Sequence, residues 1–160
     1  MCKYKEMELI YRGSRDGMTG DDFHKKCDNK GETITIIKNE KGNIFGGYAS
    51  IPWTSDNSNH SAPDSFLFTL TNIYGTEPTK FQSKNDQYEV YHISSYGPIF
   101  GGGNDLGIYK DFIKKGGWSW FPYTYQDSIG KGKSIFTGDP NNNQFKIKEI
   151  EIFKILKKVI

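Results

Sequence analysis

From Thr33 to Ile51 the chain reads TITIIKNEKGNIFGGYASI, and this stretch decides the fold class. Thr33, Ile34, Thr35 and Ile36 alternate polar and apolar with the period of two that a strand requires. Asn39 to Gly42 supplies turn residues, and Asn43 to Ile51 returns as a second arm, so the segment predicts a β-hairpin. Upstream, Met7 to Tyr11 reads as a first strand that ends at the turn-rich Gly13 to Gly17. Between them lies one helix: Thr19 is placed to cap it with Asp22 three residues on, and Phe23 and Cys27, four apart, share a face.

Downstream, Thr54 to Pro63 is polar and turn-rich and reads as the most mobile loop. Ser65 to Leu70 is a continuous run of strand length, as expected of a strand covered on both faces. Further strands are expected at Gln87 to Ser94 and Leu106 to Tyr109. In the last apolar stretch, Phe145 and Ile147 share one phase, Ile150 and Ile152 the other, and Phe153 and Ile155 return to the first. That shift predicts a β-bulge near Lys148 and Glu149. Many short strands with one helix define a mainly β fold, an antiparallel β-sandwich with a few short peripheral helices.

The 160 residues match the length of one ordinary domain, read as 1–160 with a core of about 7–156. Phe 11, Tyr 10, Trp 3 and Gly 18 argue for β-structure and against a disordered tail or a coiled coil. A formal charge of +2 lacks the electrostatic footprint of a nucleic-acid binder, so no nucleic-acid partner is expected. No apolar run approaches the roughly 18 to 20 residues that cross a bilayer, and Met1 to Lys5 carry no secretory apolar region. The expectation is an intracellular, cytoplasmic protein without a transmembrane segment. Cys2 and Cys27 form neither a disulfide framework nor a zinc-type cluster.

Candidate chemistry is sparse. Gly130-Lys131-Gly132-Lys133-Ser134 ends like a phosphate-binding loop, but the required first glycine falls at Asp127 and the loop is expected to lead into a short strand. Gly101-Gly102-Gly103 opens a dinucleotide-like pattern whose last glycine is Leu106, which leaves a tight turn. His24 stands three residues from Cys27 and is placed to lower its thiol pKa, but Cys27 shares the apolar face of Phe23, where a thiol is inert. No spacing joins His24, His60 and His92 into a metal site. The aromatics Trp118, Trp120, Phe121, Tyr123 and Tyr125 fit core packing better than a stacking platform for sugar or peptide. No catalytic, cofactor-binding or metal residue is therefore assigned.

The ordered series Leu9–Gly17 (LIYRGSRDG), Phe23–Gly31 (FHKKCDNKG), Thr33–Trp53, Ser65–Leu70 (SFLFTL), Phe100–Gly103 (FGGG) with Gly107-Ile108-Tyr109, and Phe145–Phe153 (FKIKEIEIF) resembles the TLDc domain family. The segment from Gly116 to Gly138 is similar to versions found in protist proteins. The resemblance implies a β-sandwich acting as a non-enzymatic protein-interaction module. It also implies an association with resistance to oxidative stress and, as partner, subunits of the vacuolar proton-pumping ATPase. It marks Arg15, Asp16, Phe23, His24, Cys27, Gly46, Trp53, Gly101, Gly102, Gly103 and Glu151 as motif positions with structural or interaction roles. Glu151, an acid between Ile150 and Ile152, is expected to face solvent or to pair, with Arg15 as the partner. Two rival readings remain: a redox enzyme centred on Cys27, and a carbohydrate or peptide binder using Trp118 and Trp120.

Overall fold

The computed structural model describes residues 6–85 and 87–156. Its strands are β1 (Glu6–Arg12), β2 (Thr33–Asn39), β3 (Ile44–Ala49), β4 (Ser58–His60), β5 (Phe66–Thr71), β6 (Thr79–Gln82), β7 (Val90–His92), β8 (Ile99–Phe100), β9 (Leu106–Ile108), β10 (Gly117–Trp118), β11 (Gln144–Phe145) and β12 (Ile147–Leu156). The helices are α1 (Gly13–Asp16), α2 (Gly20–Cys27) and α3 (Ser134–Thr137). Two six-stranded antiparallel sheets result, in the orders β1-β12-β2-β3-β5-β6 and β11-β10-β9-β8-β7-β4. The mainly β sandwich with short helices that the sequence predicts is thus the fold observed.

The hairpin forms as β2 and β3, in register from Thr33 opposite Ala49 to Lys38 opposite Ile44. Asn39 closes it: its side-chain oxygen accepts the backbone N–H of Lys41 and of Asn43. Helix α2 starts where Thr19 caps it, the hydroxyl oxygen accepting the Asp22 N–H at 3.2 Å. Its apolar face, Phe23 and Cys27, is fully buried. The predicted bulge is present, because the pairing of β12 with β2 shifts register between Ile147 and Glu149. That extra residue is what lets Ile147, Ile150 and Ile152 all reach the core.

The core lies between the sheets and is mostly aromatic. Phe45 from β3 meets Phe145 from β11 edge-on at 5.1 Å, and Phe136 of α3 packs on Phe45, Phe81 and Phe121. Trp53 joins three elements, with its ring 5.7 Å from Phe23 of α2, 5.2 Å from His92 of β7 and 5.4 Å from Phe100 of β8. Its indole N–H donates to the buried Thr33 hydroxyl at 3.0 Å, so the one polar atom of this side chain is satisfied inside the core.

Four expectations are corrected. The turn-rich Gly13–Asp16 is a short helix, held where the Asp16 carboxylate accepts the Arg12 N–H. The polar Thr54–Pro63 loop contains strand β4, whose backbone pairs with β7 although its own side chains are polar. The stretch after Lys133 is helix α3 rather than a strand. Finally, β5 is only partly covered on its outer side: inward Leu67 and Thr69 are buried, while of the outward side chains Phe68 is buried, Phe66 half-buried and Leu70 exposed.

Candidate functional site

Strand alternation assigns each side chain of the first sheet to the core or to the outer face. On β2 the inward positions are Thr33, Thr35 and Ile37, while Ile34 and Ile36 point outward and stay half-exposed. Strand register then aligns one row across five strands. Leu9 lies opposite Phe153, Phe153 opposite Ile34, Ile34 opposite Tyr48, and Tyr48 opposite Phe66. All five are half-buried. Tyr48 and Phe66 stack at 5.1 Å, and Lys80 places its ammonium 4.5 Å above the Phe66 ring. Met7 and Ile36 line the same shallow groove. An antiparallel sheet with one face packed and one solvated ordinarily carries polar residues on the outside. Along this row the outer face is apolar instead.

The space for this face depends on Gly46. It is buried between paired strands, and a β-carbon there would be driven into the Thr35 carbonyl oxygen and would sit 3.0 Å from the Phe68 ring. Only glycine permits that approach.

The remaining motif positions are spread through the fold. Arg15 forks onto its neighbour Asp16 at 2.8 and 3.0 Å rather than reaching Glu151. Those bonds and the Arg12 N–H hold the Asp16 carboxyl down at about 2. Glu151 is paired instead with Arg12, at 2.7 and 3.0 Å, because the β1–β12 register sets these two opposite each other while Arg15 has already left the strand for α1. Gly101 adopts φ +94 in the turn after β8, and Gly102 and Gly103 pass beside Tyr88 and Tyr123.

His24 and Cys27 do not form a reactive pair. His24 Nδ1 bonds to Asp28 at 2.7 Å and Nε2 to the Ile93 carbonyl at 2.9 Å, so both ring nitrogens are engaged away from the thiol. Burial, with Asp28 and Asp16 nearby, pushes the Cys27 thiol far up, and it holds its proton at neutral pH. Cys2 lies outside the described residues.

The two indoles part company. Trp118 is 8% exposed and packs on Tyr109 and Tyr96, whereas Trp120 is 56% exposed. They cannot form one platform. The phosphate-loop-like turn is closed from within: Asp127 accepts the N–H groups of Ile129, Gly130 and Gly132 at 2.7 to 3.1 Å, filling the place an anion would take.

The histidines hold a feature that spacing did not show. His60 and His92, 32 residues apart in the chain, stack at 4.3 Å, and Asp56 reaches His60 Nε2 at 2.6 Å. Burial and the neighbouring His60 push His92 down to about 4, so its ring is neutral at physiological pH. The signal lies only in strand pairing: Ser58 opposite His92 brings His60 onto the same face, and the polar side chains of β4 carry no strand pattern of their own.

Among the described residues no helix is long and apolar enough to cross a membrane. Two packed antiparallel sheets place this chain in the class of β-sandwich domains. The TLDc domain family matches residues 2–156, and the chain belongs to that family. A search of curated proteins finds no match.

Proposed function

We propose that this chain is a non-enzymatic interaction module whose outer apolar row docks a protein partner. We further propose that the partner belongs to the vacuolar proton-pumping ATPase, in a setting of resistance to oxidative stress. The row Leu9–Phe153–Ile34–Tyr48–Phe66 carries this reading. Full burial of a Leu, Ile or Phe side chain contributes about 1.5 to 3 kcal/mol, so finishing the burial of five that are already half covered supplies roughly 5 kcal/mol. That is enough to anchor an interface whose rim adds polar contacts. The pump assignment is supported by family membership.

The test is capture of the purified catalytic sector of the pump, under ATP and under ADP, by the wild-type chain and by the Leu9→Lys/Tyr48→Lys double variant. Both substitutions fall at half-exposed positions, and a thermal melt checks that the fold persists. The expected result is retention by the wild type and loss in the variant. Failure of the wild type to retain any pump subunit refutes the pump as partner. Undiminished capture by the variant refutes the surface.

A further inference from the structure

Asp56, His60 and His92 each offer one ligand atom, and these atoms all lie within 4.8 Å of one another. The cluster is assembled by backbone pairing. β4 runs against β7 with Ser58 opposite His92, which sets His60 diagonal to His92 on one face. Asp56 is fixed just before the strand, its Oδ1 accepting the Ser58 N–H at 3.1 Å while Oδ2 meets His60 Nε2 at 2.6 Å. An ion pair between Asp56 and His60 alone would be an ordinary surface contact.

His92 makes the arrangement unusual. It is 1% exposed, its Nδ1 is taken by Thr54, and its Nε2 is a buried nitrogen with no hydrogen-bond partner. A buried polar atom without a partner calls for an explanation, and the capacity to bind an ion supplies one. We infer that Asp56, His60 and His92 form a binding site for a divalent transition-metal ion of the zinc type, held by one carboxylate oxygen and two imidazole nitrogens.

The donor set suits such an ion. Two imidazoles and a carboxylate are ligands that zinc accepts at about 2.0 to 2.2 Å, and a three-residue site leaves a position open to water. Tetrahedral coordination at those lengths needs the donor atoms about 3.3 Å apart, so the cluster must contract from its present spread of up to 4.8 Å. Asp56 is exposed and His60 half-buried, which gives both side chains room to rotate inward while buried His92 stays fixed. Thr54 orients the fixed ligand: its Oγ1 lies 2.8 Å from His92 Nδ1. The Thr54 backbone N–H donates to Nδ1 at 3.2 Å, so binding through Nε2 moves the ring proton onto Nδ1, which then donates to that hydroxyl while the Thr54 N–H gives up this acceptor.

The test uses the full chain carrying Cys2→Ser, so that the N-terminal thiol does not compete, stripped with a chelator and titrated with zinc chloride by calorimetry. Cobalt chloride, followed by visible absorption, reports the ligands and geometry. The expected result is saturation at one equivalent, a cobalt spectrum of nitrogen and oxygen ligands without thiolate charge transfer, and a higher melting temperature with zinc. His60→Ala and Asp56→Asn each weaken binding about tenfold or more. Both alter residues that are not buried, and their metal-free melting curves should match that of the parent, so loss of binding is separable from loss of fold. No saturable uptake overturns the site. Uptake that survives both substitutions, or a thiolate spectrum, overturns it equally by placing the ion elsewhere.

Discussion

Replacing Asp105 by alanine should destabilise the protein by about 3 kcal/mol. Asp105 is fully buried just before the β9 backbone turns inward, and its carboxylate accepts the N–H groups of Tyr123 at 2.8 Å, Thr124 at 2.9 Å and Tyr125 at 3.1 Å. Ser119 also donates its hydroxyl to the Asp105 carbonyl at 2.7 Å. The carboxylate thereby ties the Ser119–Tyr125 loop to the second sheet. Deprived of it, the buried N–H groups of Thr124 and Tyr125 lose their acceptor at roughly 1 to 3 kcal/mol each, while water reaches the part-exposed Tyr123 N–H. An opposing effect reduces the sum. Burial raises the Asp105 carboxyl against the pull of those three donors, so removing the charge returns part of its desolvation cost. Asp105→Asn keeps one carbonyl oxygen for the two donors that now share Oδ2 but turns an amide N–H toward Thr124. Its loss should be smaller, near 1 to 2 kcal/mol. Urea unfolding measures both: with a slope of about 2 kcal/mol per molar, the alanine variant should unfold at a midpoint lower by about 1.5 M. An alanine variant as stable as the wild type, or an asparagine variant weaker than the alanine one, would refute the account of Asp105 as an acceptor hub.

Gly46→Ala forces a β-carbon against the Thr35 carbonyl in the middle of the first sheet and should cost about 3 kcal/mol or more, read by calorimetry as a melting temperature lower by roughly 6 to 12 °C. Asp16→Asn leaves an amide oxygen able to accept the Arg12 N–H but removes the charge that strengthens that bond, a loss of about 1 kcal/mol, the solvent-exposed Arg15 contact adding little. The folded carboxyl is held at about 2 against 3.8 in the unfolded chain, so its contribution is fully present above pH 3.8 and disappears as pH falls toward 2. Denaturant midpoints of wild type and Asp16→Asn should therefore differ at pH 6 and converge near pH 2; a constant gap would refute the assignment.

The features visible in the sequence are those with local causes. Alternation and a turn sufficed for β2 and β3, Thr19 marked the start of α2, and the phase change around Lys148 and Glu149 located the bulge. What stayed hidden depends on strand order. Glu151 faces Arg12 because β12, from the end of the chain, pairs with β1 from its beginning, and no local pattern states that register. Strand β4 has polar side chains and is specified by backbone pairing to β7, so periodicity misread it as a loop and missed the approach of His60 to His92. The outer row is similar. Each member looked like an ordinary strand residue, and only five registers together turn them into a surface. The family motif residues were found as motifs, but His24 and Cys27 turn out to be engaged with the fold rather than with each other.

Strand β12 sits between β1 and β2, and this has a bearing on how the chain is made. During synthesis β1 emerges first, and its neighbour in the sheet is among the last described segments to leave the ribosome. Until then the hairpin of β2 and β3 exposes one edge and β1 has nothing to pair with, an interval in which unpaired strands invite association with other chains. The Leu9–Phe66 row exists only once β12 slides into that gap, bringing Phe153 to join Leu9 to Ile34. A partner that reads the row would therefore recognise only domains in which β12 has docked, and one lacking that strand would be invisible to it.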